Sequence, residues 1–252
     1  MRVHAVMLGF NTPEVIEEAM ENFEATTSDY EHRRLVKTLF ILSYPRGDVA
    51  ENNRRTVEIG AKHGWWTTFL ENKGVMPNWN TVIHDYLHLR QGDFLVTFDP
   101  DVRMQKAGWI SAMLEVMAYD PKIAFVCAAH ESVVNPAIPT ERGRRIETLP
   151  SGLRIGRYRS LIAWSMGMWR GEVLASRPRD FSAKSNTQHY GYVEHADFDR
   201  IRDMGLTWVE LPDYVDTHAP RWNDPLYAEW KNACGRKEMS LSFEQFVAQR
   251  KV

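Results

Sequence analysis

Short apolar runs alternate with amphipathic stretches along the first half of the chain, and this rhythm predicts alternating strands and helices. The apolar runs are predicted strands at residues 3–8, 38–43, 66–70, 93–98 and 123–128. Between them, apolar side chains recur at helical spacing in the segment that opens at Thr12–Pro13 and in residues 49–63, 77–89 and 107–118. Strands separated by helices predict an α/β fold, with a mostly parallel central sheet covered by helices on both faces.

The second half breaks this rhythm. Residues 130–160 are rich in Pro, Gly and Arg and predict a long excursion, which in a compact domain is often functional. A strand is then predicted at 162–169, a helix at 191–204 and a short strand at 207–211, with His218 in the loop after it. Helical patterns return at 225–233 and 242–249. Without a repeat or an obvious linker, we expect residues 1–252 to form one domain.

Composition narrows the class of protein. The 252 residues are 44% hydrophobic and 25% charged, a balance typical of a globular protein, and no apolar run approaches the ~20 residues of a membrane span. The apolar start is too short for a signal peptide. Two cysteines, Cys127 and Cys234, exclude a disulfide framework and a four-thiolate zinc site. We therefore expect a reducing, cytoplasmic setting.

Two carboxylates follow the predicted strand at 93–98. Asp99-Pro100-Asp101 comes where a parallel sheet places its ligands, outside the carboxyl ends of the strands. Magnesium and manganese ions take carboxylate oxygens together with substrate phosphates, so this pair is a candidate metal site. A turn stabilised by an Asx cap is the structural alternative.

A second group of titratable residues opens the predicted helix at 191–204. Glu194, His195 and Asp197 crowd its first turn, where a carboxylate or an imidazole could act as general base toward an acceptor hydroxyl. Acidic residues at a helix start also complement the helix dipole, which is the structural alternative. His218, alone in its loop, could complete a metal site or simply be solvated.

Arginines are concentrated between residues 140 and 180, although the net charge of −2 excludes a global field that would attract nucleic acid or lipid. That stretch has nine arginines, no lysine and four acidic residues. Guanidinium groups pair with phosphate or carboxylate in a planar, bidentate way, so an anionic acceptor is one hypothesis. A solvated basic loop balanced by the acidic remainder is the other.

The order of these elements resembles the nucleotide-sugar-dependent glycosyltransferases of the GT-A fold, and it is most similar to glycosyltransferase family 2. The resemblance covers residues 2–220. It begins with the strand that ends in Phe10–Asn11 and continues through Glu71-Asn-Lys-Gly-Val75 and the Asp99-Pro-Asp101 motif. It closes with Ser165-Met-Gly-Met-Trp-Arg170, the Glu-His-Ala-Asp element and His218.

The resemblance implies a Rossmann-like GT-A domain that holds Mn²⁺ or Mg²⁺. Its metal ligands would be Asp99, Asp101 and His218, with Asp99 and Pro100 also near the nucleotide sugar. Phe10, Asn11 and Ser43 would lie at the nucleotide base, and Asn80 near the ribose or phosphates. It also implies a nucleotide-sugar half at 1–128, an acceptor and catalytic half at 129–220, and a helical tail at 221–252.

Two positions depart from the family pattern. The aspartate that contacts the base soon after the second strand is replaced by the turn Ser43-Tyr-Pro-Arg-Gly-Asp48. His195 stands where the family has its catalytic aspartate. The base could therefore be His195, Glu194 or Asp197, and the stereochemical course stays open.

These observations favour a metal-dependent glycosyltransferase that moves a sugar from a nucleotide-diphosphate sugar, with a UDP-sugar as the expected donor, to an acceptor hydroxyl. The acceptor could be modified DNA, a phosphorylated glycan or a lipid phosphate. A sugar nucleotidyltransferase and a non-catalytic carbohydrate- or nucleic-acid-binding module are the alternatives. Candidate acceptor contacts are Arg142, Arg144, Arg145, Trp169, Arg170, Arg221 and Trp222.

Overall fold

The computed structural model of the protein describes residues 1–10, 12–28, 35–43, 50–130, 145–157, 166–181, 191–218, 225–227, 229–230 and 243–250. At residues 43, 75, 130, 191–195, 218 and 243–245 it describes the backbone.

A single mixed sheet organises the described residues. Its ten strands are β1 (Val3–Gly9), β2 (Leu35–Ser43), β3 (Trp66–Glu71), β4 (Phe94–Phe98), β5 (Val102–Met104), β6 (Ile123–His130), β7 (Arg145–Thr148), β8 (Arg154–Arg157), β9 (Met166–Arg170) and β10 (Thr207–His218). They are ordered β3-β2-β1-β4-β9-β6-β10-β8-β7, with β5 paired to β10 off this path. The predicted α/β class is confirmed.

Strand direction matches the predicted mostly parallel centre. β3, β2, β1 and β4 pair in parallel, as do β6 and β10. β9 runs antiparallel between β4 and β6, so those six strands share one direction and β9 opposes them. The carboxyl ends of β1, β2, β3 and β4 therefore lie along one edge of the sheet.

Helices cover both faces of the sheet, as the pattern predicted. They are α1 (Pro13–Thr26), α2 (Ala50–Lys62), α3 (Val75–Thr81), a π-helical segment (Val82–Leu87), α4 (Trp109–Tyr119), α5 (Gly171–Ala175), α6 (Gly191–Asp203) and α7 (Phe243–Arg250). α1, α2 and α4 contribute to the core on one face. α3, the π-helical segment, α5 and α6 contribute to the core on the other.

Close packing of α1 on β1 requires a glycine where the strand ends. A Cβ added at Gly9 would lie 2.7 Å from Ile16 Cδ1 and 3.1 Å from Leu39 Cδ1, closer than the neighbours can accept unchanged. The absent side chain lets the apolar face of α1, with Ile16, Met20 and Phe23, pack on the sheet. The chain leaves β1 directly at the carboxyl edge.

The structure differs from three local predictions. The excursion predicted at 130–160 contains the antiparallel hairpin of β7 and β8. The helix predicted at 77–89 begins at Val75 and becomes π-helical from Val82 to Leu87. His218 ends β10 and does not lie in a loop, because β10 continues past a register shift between Leu211 and Val215. None of the described helices is both long enough and apolar enough to cross a membrane.

Candidate metal and donor site

Three of the predicted donor positions meet at one edge of the sheet. Phe10 follows β1, Ser43 ends β2 and Asp99 follows β4. These strands are neighbours and parallel, with Gly9 in register with Ile41 and Val6 with Thr97. Their backbones therefore surround a common position, while Asn11 lies outside the described residues.

The turn from Asp99 to Asp101 is tight and half-buried. The Val102 amide donates to the Asp99 carbonyl oxygen at 3.1 Å, which closes the turn directly after β4. Asp99 and Pro100 are partly exposed, whereas Asp101 is only 7% exposed. Because burying a carboxylate without compensation is costly, Asp101 is expected to be compensated by a cation or by hydrogen bonds.

Pairing between β5 and β10 brings the third predicted ligand to this turn. β5 follows Asp101 directly and runs antiparallel to β10, with His218 in register with Val102. Residues in register on antiparallel strands have Cα atoms about 5 Å apart. The backbone therefore places His218 beside the Asp99–Asp101 turn, although the two sites are 117 residues apart in sequence. Carboxylate oxygens with an imidazole suit a divalent ion such as Mn²⁺.

Two side chains hold β5 in place against α1. Asn22 acts like a strand partner, since its Nδ2 donates to the Met104 carbonyl oxygen at 3.0 Å and its Oδ1 accepts from the Met104 amide at 2.8 Å. Arg103 donates to the carbonyl oxygens of Pro100 and Val102 at 2.6 and 2.8 Å and to that of Val15 at 3.1 Å. Neither residue was predicted, because no local motif marks a side chain that bonds to a distant backbone.

A buried carboxyl group near the site was also missed. Asp216 lies two residues before His218, in register with Met104, and is 2% exposed. Burial, together with the nearby Glu210 carboxyl, raises the pKa of Asp216 to about 7. The sequence did not indicate that Asp216 is buried, because the strand was predicted to end at residue 211, before Asp216.

Asn80 lines a cavity beside α3 and the π-helical segment. Its Nδ2 donates to the Phe181 carbonyl oxygen at 2.7 Å, and its buried Oδ1 has no hydrogen-bond partner in the described part of the chain. The cavity has a volume of about 300 Å³ and is lined by Pro77, Asn80, Thr81, His84, Asp85, Arg179, Asp180 and Phe181. Asn80 thus tethers the segment after α5, while its side-chain Oδ1 has no partner among the described residues.

Among the three candidate bases, Asp197 has a structural position. Its carboxylate is fully buried and accepts from Arg177 Nη2 at 2.6 Å, with Arg200 Nη2 at 3.5 Å. Burial lowers the pKa of Arg177 to about 10, so this guanidinium is charged at neutral pH. Because this carboxylate is fully buried and paired with two arginines, it has no exposed surface that an acceptor hydroxyl could reach. Glu194 and His195 lie on the backbone of the first turn of α6.

Two predicted acceptor contacts are structural instead. Trp169 is fully buried and stacks on Phe125 at 4.3 Å between ring centroids. Arg170 donates to the carbonyl oxygens of Met117, Asp120 and Ile123 at 2.5–3.1 Å, and so satisfies the end of α4. Neither prediction fits these positions, because β9 lies in the interior of the sheet, between β4 and β6.

Most of the arginine-rich stretch that the structure describes is paired within the protein. Arg154 pairs with Asp213, Arg157 with Asp120 and Glu147, and Arg179 with Asp85. With Arg170 and Arg177, five of the nine arginines thus have internal partners. Arg145 is exposed on β7, while Arg142, Arg144, Arg221 and Trp222 lie outside the described residues.

Comparison with solved structures identifies the fold. The mannosyltransferase PcManGT from Pyrobaculum calidifontis, solved with GDP-Man and Mn²⁺, aligns with a TM-score of 0.60 at 19% identity over 99% of this chain and 64% of its own. The fold is GT-A. GalNAc-T7, solved with UDP, GalNAc and Mn²⁺, aligns with a TM-score of 0.58 at 11% identity over 96% of this chain and 52% of its own.

A third GT-A structure extends the comparison. Glucosyl-3-phosphoglycerate synthase from Mycobacterium tuberculosis, solved with Mn²⁺, UDP and glucosyl-3-phosphoglycerate, aligns with a TM-score of 0.54 at 16% identity over 94% of this chain and 77% of its own. This chain spans less than two thirds of the length of PcManGT and of GalNAc-T7. No protein-family model and no curated protein matches the sequence.

Proposed function

We propose that this protein is a metal-dependent glycosyltransferase that uses a nucleotide-diphosphate sugar. The observation that supports this most is the β5–β10 pairing, which brings the backbone of His218 beside the Asp99–Asp101 turn at the carboxyl edge of a GT-A sheet. The similar structures that were solved with GDP-Man or UDP also contain Mn²⁺. Mn²⁺ is accordingly the expected cofactor, and a UDP-sugar the expected donor.

Each residue at the edge has a distinct task in this proposal. Asp101, Asp99 and His218 would hold the divalent ion, which when bound stabilises negative charge on the departing diphosphate. Phe10 and Ser43 end the two neighbouring strands and would border the nucleotide base. Asn22 and Arg103 hold β5, and thereby fix the Asp99–Asp101 turn on which the ligands depend.

The general base would come from the first turn of α6. With Asp197 paired to Arg177, Glu194 and His195 are the two candidates that remain. Either could accept the proton of the acceptor hydroxyl at neutral pH. Glu194→Gln and His195→Gln should be compared by their pH–rate profiles, because loss of the true base removes the acidic limb of the profile.

We propose that the acceptor is a compound with a free hydroxyl group. The hypothesis that this acceptor is also anionic stays a proposal, and it has less support than the sequence led us to expect. Arg145 is exposed, while the paired arginines no longer support the idea. If an anion is recognised by Arg142, Arg144 and Arg145, transfer should weaken with rising salt and in the triple glutamine variant. Transfer that is indifferent to both changes would contradict it.

The test of function is a panel of nucleotide sugars assayed for hydrolysis with and without Mn²⁺. The expected result is turnover of one donor that needs the ion and falls at least about 100-fold in Asp101→Asn, since charge stabilisation of several kcal/mol is lost. Asp199→Asn is the matched control, because Asp199 is exposed and pairs on the helix surface with Arg202.

Other outcomes would separate the competing functions. Donor binding without turnover across the panel would favour the non-catalytic module. Release of pyrophosphate from a sugar phosphate and a nucleoside triphosphate would favour the nucleotidyltransferase. Equal hydrolysis by Asp101→Asn and the wild type would overturn the proposed metal site.

A further inference from the structure

A second group of metal-ligating side chains lies between α1 and the end of α2. One carboxylate oxygen each from Glu17 and Glu21 and one ring nitrogen of His63 all lie within 4.8 Å of one another. Glu17 and Glu21 are four residues apart on α1 and therefore project from the same face of the helix. His63 follows α2 directly, so the group joins two helices that pack on the same face of the sheet.

The His63 ring is buried and oriented as metal-binding histidines are. It is 8% exposed, and its Nδ1 lies 3.0 Å from Glu24 Oε2. A carboxylate accepts hydrogen bonds and cannot donate them, so Nδ1 carries the proton. In the neutral ring, Nε2 is then a bare lone pair. A carboxylate that fixes a histidine in this way is typical of zinc sites.

Nε2 of His63 is buried and has no hydrogen-bond partner among the residues that the structure describes. A buried polar atom without a partner is uncommon and calls for an explanation, and an ion held together with neighbouring carboxylates supplies one. Carboxylate and imidazole donors at about 2.1 Å from zinc stand roughly 3.4 Å apart. Glu17 is partly exposed and Glu21 is exposed. Small rotations of both side chains can therefore shorten the present distances between the ligand atoms to those that zinc requires.

We propose that Glu17, Glu21 and His63 bind a Zn²⁺-type divalent ion, with Glu24 orienting the histidine. The site is separate from the Asp99–Asp101 turn and shares no residue with it. Its ion would link α1 to the end of α2. One cation already competes for it, because Lys62 Nζ lies 2.6 Å from Glu17 Oε1. The alternative is an ion-pair network with no metal.

Zinc titration of the metal-stripped protein against a chromophoric chelator tests the proposal. The wild type should bind one equivalent more than Glu21→Gln, and Asp101→Asn should retain that equivalent. Glu21 is exposed, so its variant is expected to fold, which circular dichroism checks. Glu58→Gln, an exposed glutamate on α2, is the matched control.

Lys62→Met is expected to change zinc affinity in the opposite direction to Glu21→Gln. Removing the competing ammonium should tighten zinc binding up to about fivefold, the size of an exposed ion pair. Co²⁺ in place of zinc should give a visible absorption band that is lost in Glu21→Gln and kept in Asp101→Asn. Equal zinc stoichiometry in Glu21→Gln and the wild type, or unchanged affinity in Lys62→Met, would overturn the proposal. Neither result depends on glycosyl transfer.

Discussion

At the residue scale, Arg103 determines the shape of the turn that carries both aspartates. Its guanidinium bonds to carbonyl oxygens on either side of Asp101 and to α1, and it pairs with Glu18 at 3.3 Å. Burial lowers the pKa of Arg103, while Glu18 and Asp101 raise it. A planar fork with several donors can make these bonds at once, whereas an ammonium group cannot.

Arg103→Lys should therefore weaken metal binding without removing a ligand. Losing about two net hydrogen bonds, at about 1 kcal/mol each, predicts roughly a 10- to 30-fold weaker Mn²⁺ affinity. Electron paramagnetic resonance of free Mn²⁺ measures it. Arg54→Lys, an exposed arginine that pairs with Glu51, should bind Mn²⁺ like the wild type. Unchanged affinity in Arg103→Lys would show that the turn holds its shape alone.

Burial of the His4 side chain is expected to make the stability of the protein depend on pH. His4 is 6% exposed on β1, and burial lowers its pKa from 6.5, opposed by Asp93. The unfolded chain then binds the proton more readily, so stability should fall as the pH drops below about 6.5. His4→Leu should flatten this fall in urea unfolding between about pH 7.5 and 5. His88→Asn, at an exposed histidine, should not; a slope as steep in His4→Leu as in the wild type contradicts the expectation.

At the scale of elements, the long strands and helices were predictable and the short ones were not. β1, β4 and α1 have complete apolar patterns of their own, so their positions followed from periodicity. β5 has three residues and exists through partners supplied by β10 and Asn22, which no local pattern encodes. The same holds for the site. The Asp99–Asp101 motif was visible, but the pairing that brings His218 to it was not.

The position of α6 depends on the buried pair of Arg177 and Asp197. Arg177→Met should destabilise the protein by about 3–5 kcal/mol, because it leaves a buried carboxylate with Arg200 as its remaining ion-pair partner among the described residues. Arg177→Met with Asp197→Leu should recover much of that loss. Urea unfolding measures both.

Arg179 offers a matched control two residues away. It pairs with Asp85 at 2.6 Å, but both side chains are largely exposed, so Arg179→Met should change stability by less than about 1 kcal/mol. Equal losses in Arg177→Met and Arg179→Met would mean that burial of the pair adds nothing to the stability of α6.

At the scale of the molecule, a small third hydrophobic core connects the C-terminal segment, meaning the described residues between 225 and 250, to the edge of the sheet proposed for donor binding. Val15, Tyr227, Trp230 and Phe246 are buried together. Phe10 packs against this cluster and also against the core formed by α3, α5 and α6. Because Phe10 follows β1 at the edge proposed for the nucleotide base, the C-terminal segment supports one wall of that site.

Trp230→Ala should release the C-terminal segment while the sheet stays folded. Truncating a buried tryptophan costs about 3–5 kcal/mol, and a small separate cluster cannot absorb that loss. Amide hydrogen exchange should show lost protection at 243–250 with retained protection in β1 and β4. Donor affinity, measured by calorimetry, should fall several-fold as Phe10 loses its support, whereas Leu226→Ala, at an exposed residue of the same segment, should change neither quantity. If the sheet amides lost protection in parallel, the third core would be part of the main one, and the segment would not be a separate unit.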